Sequence, residues 1–162
     1  RQYLNACPFR EDPTVWVADS FQGLPEPNAE KYPADARNRL YEIKQLVVSL
    51  EEVKDNFRKY GLLDDRVKFL PGWFRDTLPM AVGIERLAIL RLDGDLYESS
   101  MEALQNLYHK LARGGYCIVD DYGAIWGCKV AVDEFRNEQG IAEPLLPIDP
   151  ADYRQGVYWR KG

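Results

Sequence analysis

Short apolar runs and turn residues alternate along the chain. The runs are rich in aliphatic, β-branched and aromatic residues, which predicts strands at 14–18, 67–70, 86–92, 116–119, 145–148 and 157–159. Apolar residues at helical spacing predict helices at 50–60, 97–111 and 128–138. Because strands alternate with helices and several strands are apolar without two-residue alternation, the pattern predicts an α/β fold: a mostly parallel sheet with helices on both faces.

Local signals mark the ends of these predicted elements. Ser49 with Glu52 three residues later forms a capping box, and Gly61 ends the helix that follows. Residues 21–33 are rich in proline, glycine and asparagine and predict a surface loop. No repeat or shift in composition divides the chain, so a single domain is expected over residues 1–162.

Composition excludes several classes of partner. The formal net charge is -5 and no apolar run is long enough to span a bilayer, so neither nucleic acid nor membrane is an expected partner. The three cysteines, Cys7, Cys117 and Cys128, are odd in number and form no CxxC pair, which favours a reducing cytoplasm over disulfides or a zinc site. The one histidine, His109, precedes Lys110 on a predicted surface helix end and is not expected to act in catalysis.

Acidic residues follow three of the predicted strands. Asp19 ends the first, Asp93 and Asp95 follow the third, and Asp120 and Asp121 follow the fourth. Carboxyl ends of parallel strands meet at one edge of a sheet, where ligands bind. Two like charges about 4 Å apart repel by about 4 kcal/mol at an effective dielectric constant of 20. Such a cluster therefore needs a bound cation or raised pKa values.

The residue types suggest a role for each acid. Asp93, Asp120 and Asp121 offer the oxygen ligands that Mg²⁺ prefers, and Asp95 is placed to act as a general base on a substrate hydroxyl. Asp19 follows the strand that in a nucleotide-binding sheet typically presents an acid to ribose hydroxyls. The alternative is that each aspartate only caps the helix after it, which explains the acids one at a time but not their clustering.

Four long motifs resemble the macrocin O-methyltransferase family, and the resemblance covers nearly the whole chain. They are Val15–Gly23, Phe69–Phe74 with Asp76–Pro79, Leu90–Ser99, and Gly114–Tyr116 leading to Val119–Tyr122. The resemblance implies a Rossmann-like class I methyltransferase sheet of order 3-2-1-4-5-7-6, in which the last strand to join is antiparallel. It also implies methyl transfer from S-adenosylmethionine to a hydroxyl of a sugar on a natural product, as in macrolide and aminocoumarin antibiotic biosynthesis.

The same resemblance assigns the site residues. By similarity Asp93, Asp120 and Asp121 bind Mg²⁺ and Asp95 is the catalytic base. Asp19 and Ser20 would hold the ribose of the cofactor, and the Gly72-Trp73 loop would lie beside its adenine. The expected substrate is a small-molecule glycoside or sugar. The sequence leaves open whether the chain forms a homo-oligomer.

One departure from the family pattern concerns the N-terminus. Strand 1 and its glycine-rich loop are expected upstream of Arg1, with Arg1–Ala6 as the tail of the following helix, so we expect an N-terminally truncated methyltransferase domain that binds cofactor weakly or not at all. Two other functions stay open from the sequence. One is a glycosyltransferase whose Asp-Gly-Asp holds a divalent ion on a nucleotide sugar, and the other is an inactive truncated remnant.

Overall fold

The structure is a computed structural model and describes residues 13–152 and 156–162. The predicted helix tail Arg1–Ala6 and Cys7 lie outside the described residues. Two compact units are present. The first unit contains residues 13–25 and 40–77, and the second contains Glu26–Arg39 and Leu78–Gly162. The prediction of one domain over residues 1–162 stays a prediction.

The first unit is a parallel strand pair with its helices. Strand β1 (Val15–Asp19) pairs with β2 (Val67–Pro71), which places Asp19 opposite Pro71. Helix α1 (Leu50–Lys59) begins at the predicted cap, where Ser49 Oγ accepts a hydrogen bond from the Glu52 amide at 3.3 Å. Helix α2 is the short segment Phe74–Thr77, and 3-10 turns lie at Leu40–Glu42 and Lys44–Leu46.

The second unit is a four-stranded sheet with two helices. Its strands are β3 (Leu87–Leu92), β4 (Leu111–Val119), β5 (Leu146–Pro147) and β6 (Val157–Arg160). Their order is β3-β4-β6-β5, with β3 and β4 parallel and β6 antiparallel to both of its neighbours. Helices α3 (Tyr97–Leu107) and α4 (Trp126–Glu138) pack against each other, and 3-10 turns lie at Pro33–Asp35 and Tyr108–Lys110.

Both units agree with the order that the family resemblance implied. The β1–β2 pair corresponds to the neighbours 2 and 3, and β3-β4-β6-β5 corresponds to 4-5-7-6 with an antiparallel last strand. The α/β class is therefore confirmed. None of the helices in the described ranges has the length and apolar character needed to cross a bilayer.

The core of the second unit lies on one face of its sheet. Cys117 and Trp159 pair across β4 and β6 and are both fully buried. Trp159 Nε1 donates to the Tyr108 hydroxyl at 3.1 Å, and the Tyr108 ring meets Phe135 of α4 edge-on. On the opposite face Tyr116 keeps 42% of its surface exposed. Within this unit, helices therefore cover one face of the sheet.

One local prediction was wrong at the start of β4. The helix predicted up to residue 111 is α3 followed by the 3-10 turn to Lys110, but the strand predicted from Tyr116 already begins at Leu111. Gly115 lies inside this strand and packs close to β3, because a Cβ on it would approach the Ala88 carbonyl oxygen to 2.8 Å. On α4, Arg136 places its guanidinium over the Trp159 ring at 4.8 Å and donates to the Glu143 carbonyl.

Candidate functional site

Strand pairing brings the predicted metal ligands together. Leu92 and Val119 are register partners at the ends of β3 and β4, and the Asp120 amide donates to the Leu92 carbonyl at 2.9 Å. Asp93 and Asp120 are therefore the first residues beyond two adjacent parallel strands. One carboxylate oxygen from each of Asp93, Asp120 and Asp121 lies within 4.8 Å of the other two. The predicted clustering of these three acids is confirmed as geometry.

A glycine of the neighbouring segment allows this close arrangement. Gly156 directly precedes β6, and a Cβ placed on it would lie 2.4 Å from the Val119 carbonyl oxygen and 2.9 Å from the Asp120 Cα. Only a residue without a side chain lets the backbone at position 156 approach the end of β4 this closely.

An arginine that the sequence reasoning missed neutralises part of the cluster. The Arg91 guanidinium is 2.8 Å from Asp93 Oδ2 and 2.9 Å from Asp120 Oδ2, and about half of the Arg91 side chain is exposed. A usable signal was present in the sequence. Arg91 interrupts the apolar run of β3 two residues before Asp93, and side chains two apart along a strand lie on the same side.

Asp95 and Asp121, the other two acids that follow β3 and β4, form no ion pair with Arg91. Among the ion pairs of the described residues, none includes Asp121 or Asp95. Burial, reinforced by the charges of Asp95 and Asp93, raises the pKa of Asp121 to about 7. Burial and the charges of Asp93 and Asp120 also raise the pKa of Asp95. The cluster therefore holds more negative charge than Arg91 compensates, which favours binding of a cation.

The geometry and chemistry of the three carboxylates are compatible with a hard divalent ion. Oxygens on opposite sides of an ion with ligand distances of roughly 2.1–2.5 Å are about 4.2–5 Å apart, so three oxygens within 4.8 Å of one another are near enough to share one ion. All three groups are carboxylates, the ligand type that Mg²⁺ and Ca²⁺ prefer. Asp95 stands next to this set, because its amide donates to Asp121 Oδ2 at 3.3 Å.

The first unit brings together the four residues predicted to bind the cofactor. The Gly72 amide donates to the Asp19 carbonyl at 2.9 Å, so the turns after β1 and β2 are adjacent. Asp19 is exposed, and its Oδ1 accepts from the Phe21 amide at 2.6 Å. Ser20 Oγ donates to the Gly23 carbonyl at 2.7 Å, so the single proton of this hydroxyl is already used within the loop. Trp73 is half-buried and follows Gly72, whose φ of 131° suits glycine.

The histidine and the described cysteines have no place in this arrangement. His109 is exposed, as predicted, and Cys117 and Cys128 are free, buried thiols whose burial raises their pKa, that of Cys128 to about 12. Cys128 is only 1% exposed. A cavity of about 540 Å³ in the second unit is lined by residues of α3, α4 and the C-terminal segment, and by none of the predicted site residues.

Comparison with known proteins shows which family the chain resembles. The family model described as macrocin-O-methyltransferase (TylF) matches residues 1–161. Demethyldecarbamoylnovobiocin O-methyltransferase from Streptomyces niveus is 54% identical over 151 residues, covering 93% of this chain. Mycinamicin III 3''-O-methyltransferase from Micromonospora griseorubida is 50% identical over 164 residues, covering 99% of this chain.

A solved structure gives the same answer. The structure of the O-methyltransferase NovP matches with a TM-score of 0.87 and 54% identity, covering 94% of this chain and 61% of that one. This chain spans 56% of the length of the Streptomyces relative and 62% of the Micromonospora relative. These similarities favour the methyltransferase interpretation over a glycosyltransferase. The chain belongs to the macrocin O-methyltransferase family.

Proposed function

We propose that the chain provides the catalytic acids of an S-adenosylmethionine-dependent O-methyltransferase that acts, with Mg²⁺, on a sugar hydroxyl of a natural product. The observation on which this proposal chiefly rests is the set of three carboxylate oxygens within 4.8 Å of one another, next to Asp95. Membership of the family supports methyl transfer as the reaction. The substrate class is suggested by the relatives, whose names describe methylation of a novobiocin precursor and of mycinamicin III.

Asp93, Asp120 and Asp121 are proposed to hold the metal. When bound, a divalent ion would lower the pKa of a substrate hydroxyl that coordinates to it. Asp121 favours this binding because its raised pKa reflects an unfavourable charge that a cation would relieve. Arg91 bonds to Asp93 and Asp120 and orients both carboxylates from the side of β3.

Asp95 is proposed as the general base. Its carboxylate accepts the proton of the acceptor hydroxyl while that oxygen forms its bond to the transferred methyl carbon. S-adenosylmethionine, when bound, would supply this methyl group and would leave as S-adenosylhomocysteine, with the electron pair of the broken sulfur–carbon bond on sulfur. Burial, the largest cause of the raised pKa of Asp95, suits this role, because it makes Asp95 a stronger base than an ordinary carboxylate.

The turns after β1 and β2 are proposed to bind S-adenosylmethionine, which supplies an electrophilic methyl group. The exposed Asp19 carboxylate is suited to accept hydrogen bonds from ribose hydroxyls. Gly72 lets its backbone approach a flat group closely, and Trp73 offers an aromatic surface next to it. The hydroxyl of Ser20 contributes less, because it already donates to Gly23.

The free thiols Cys117 and Cys128 support the proposed location in a reducing cytoplasm.

Methyl transfer from tritiated S-adenosylmethionine tests the proposal directly. Demethyldecarbamoylnovobiocin and mycinamicin III serve as acceptors, with MgCl₂ in one set of reactions and EDTA in the other. We expect label in an acceptor only when Mg²⁺ is present. Transfer that is equally fast in EDTA would contradict the metal assignment, and absence of transfer to either glycoside would contradict the substrate class.

Thermal unfolding with single ligands provides a test that needs no acceptor. MgCl₂ should raise the melting temperature, because a ligand that binds only the folded state stabilises it, and S-adenosylhomocysteine should raise it less if its binding is as weak as the sequence predicts. UDP-glucose is the matched control for the glycosyltransferase alternative and should leave the melting temperature unchanged. Calorimetric titration with S-adenosylhomocysteine measures in addition whether cofactor binding by this chain is weak, as expected from the sequence.

A further inference from the structure

A buried carboxylate also lies outside the acidic cluster. Asp35 ends the 3-10 turn Pro33–Asp35 and is only 1% exposed. Burying a charged group is unfavourable unless it is paired or hydrogen-bonded. None of the sequence motifs pointed to Asp35, and the proposed reaction does not use it directly.

Asp35 caps the helix that begins next to the proposed base. Its Oδ1 accepts from the Tyr97 amide at 2.7 Å, and its Oδ2 accepts from the Glu98 amide at 3.1 Å. These are the first two amides of α3, and the residue at its N-cap position, Leu96, makes no side-chain hydrogen bond to them. The carboxylate therefore satisfies two backbone donors and meets the positive end of the helix dipole.

The start of α4 is shaped to admit this carboxylate. A Cβ on Gly127 would lie 2.1 Å from Asp35 Oδ1, so any side chain there would displace Asp35. The side chain of Tyr97 is held as well, because its hydroxyl donates to Glu134 of α4 at 2.7 Å and its ring lies 5.7 Å from that of Tyr32. Backbone and side chain at the start of α3 are thus both fixed.

The fixed helix start bears on Asp95 because only Leu96 separates Asp95 from Tyr97. Asp95 has a φ of 57°, a left-handed conformation that is unfavourable for a residue with a side chain. Such a conformation persists only where its surroundings hold it. Two carboxylates do so: Asp121 accepts from the Asp95 amide on one side, and Asp35 holds the Tyr97 and Glu98 amides on the other.

We propose that Asp35 is a positioning residue for the general base: by anchoring the Tyr97 and Glu98 amides it keeps Asp95 in the backbone conformation that presents its carboxylate to the substrate hydroxyl. This inference rests on the proposed function for the role of Asp95. Asp35 itself contacts no reacting atom. It acts on the reaction only through the backbone of the turn between β3 and α3.

Amide hydrogen exchange of the chain tests the anchoring without any substrate. In Asp35→Ala, exchange at Asp95, Tyr97 and Glu98 should rise at least tenfold, while amides in the middle of α4 stay within twofold of wild type. Gly127→Ala should give the same pattern, because it displaces Asp35 without removing its charge. Ser49→Ala is the matched control: it removes the cap of α1 and should raise exchange near Glu52 only.

A double-mutant cycle on methyl transfer tests the role in catalysis. Asp35→Ala should lower kcat at least tenfold with KM for S-adenosylmethionine within twofold, and Asp35→Asn, which keeps one acceptor oxygen, should fall in between. In an Asp95→Asn background the same Asp35→Ala change should cost less than twofold. Ser49→Ala should leave kcat unchanged in both backgrounds.

The outcomes separate the two proposals. Unchanged exchange at Asp95 in Asp35→Ala, or an equal loss of kcat with and without the Asp95 carboxylate, would overturn the positioning role and leave Asp35 as a helix cap. If wild-type chain transfers no methyl group, the proposed function fails, and exchange at Asp95 alone then decides whether Asp35 holds this turn.

Discussion

The two units of the chain use the same element, an aspartate at the carboxyl end of a parallel strand, in different electrostatic settings. In the first unit Asp19 is exposed, with one oxygen bonded to a local amide. In the second unit four aspartates follow two adjacent strands, and burial and mutual repulsion raise the pKa of two of them. A single exposed carboxylate is suited to accept hydrogen bonds from a neutral group, whereas a crowded set favours a cation.

The largest expected effect comes from removing the proposed base. Asp95→Asn should lower kcat for methyl transfer by roughly 10²–10⁴-fold, the usual contribution of a positioned general base. The backbone amide of Asp95 still donates to Asp121, so Mg²⁺ affinity measured by calorimetry should stay within about threefold. A variant that transfers methyl groups at the wild-type rate would show that another group takes the proton.

Mg²⁺ binding should depend on Asp121 of the second unit and not on Asp19 of the first. Asp121→Asn removes one of three carboxylate ligands and should weaken Mg²⁺ binding by about 100-fold or more in a calorimetric titration. Asp19→Asn, the matched change in the first unit, should leave Mg²⁺ affinity unaltered. Equal losses in both variants would mean that the acids of the second unit are no more specific for the cation than any exposed aspartate.

Cofactor binding should depend instead on the turn after β1 in the first unit. Asp19→Asn should weaken binding of S-adenosylhomocysteine by roughly tenfold or more, because charge-assisted hydrogen bonds become neutral ones. Ser20→Ala should weaken it by less than about threefold, because the hydroxyl proton is already donated to Gly23. Fluorescence or calorimetric titration gives both affinities, and a larger loss in Ser20→Ala would reverse the ranking proposed for this turn.

The stability of the chain should depend on pH in the absence of metal. The pKa of Asp121 is about 7 in the folded chain and its ordinary value is 3.8, so between these values the folded state binds an extra proton. The free energy of unfolding should therefore fall as pH rises from about 4 to 7, by about 1–2 kcal/mol after allowance for solvent screening. Urea unfolding in EDTA measures it, and Asp121→Asn should show a smaller fall.

Much of this site could be predicted from the sequence because strand pairing fixes the positions of its acids. Asp93 and Asp120 each come directly after an apolar strand, and parallel pairing places such residues side by side. Asp19 and Gly72 are neighbours for the same physical reason, since β1 and β2 are parallel and in register to their ends. Local periodicity predicted the strands, whereas the order of the strands and the role of Gly72 came from the family resemblance.

The groups that support the acids were harder to find. Asp35 lies 62 residues before the amide of Tyr97, and no periodicity links positions so far apart. The sequence pointed instead to Asp95 as the cap of α3, and only the structure shows that Leu96 is at the N-cap position and that Asp35 accepts from the first amide. The early start of β4 was missed because Gly114 and Gly115 resemble a helix end, while the close contact of Gly115 with β3 depends on tertiary structure.

Gly156 illustrates how far the requirements of such a site extend. It contributes no functional group, yet its missing side chain sets how closely the chain before β6 can approach the Asp120 backbone. A mutational screen scored only by product formation would rank Gly156 with the acids, since a methyl group there would shift a carboxylate it never touches. Conversely, a homologue with a larger residue at this position would need a compensating change in the loop after β4 to keep the Asp120 carboxylate in the same place.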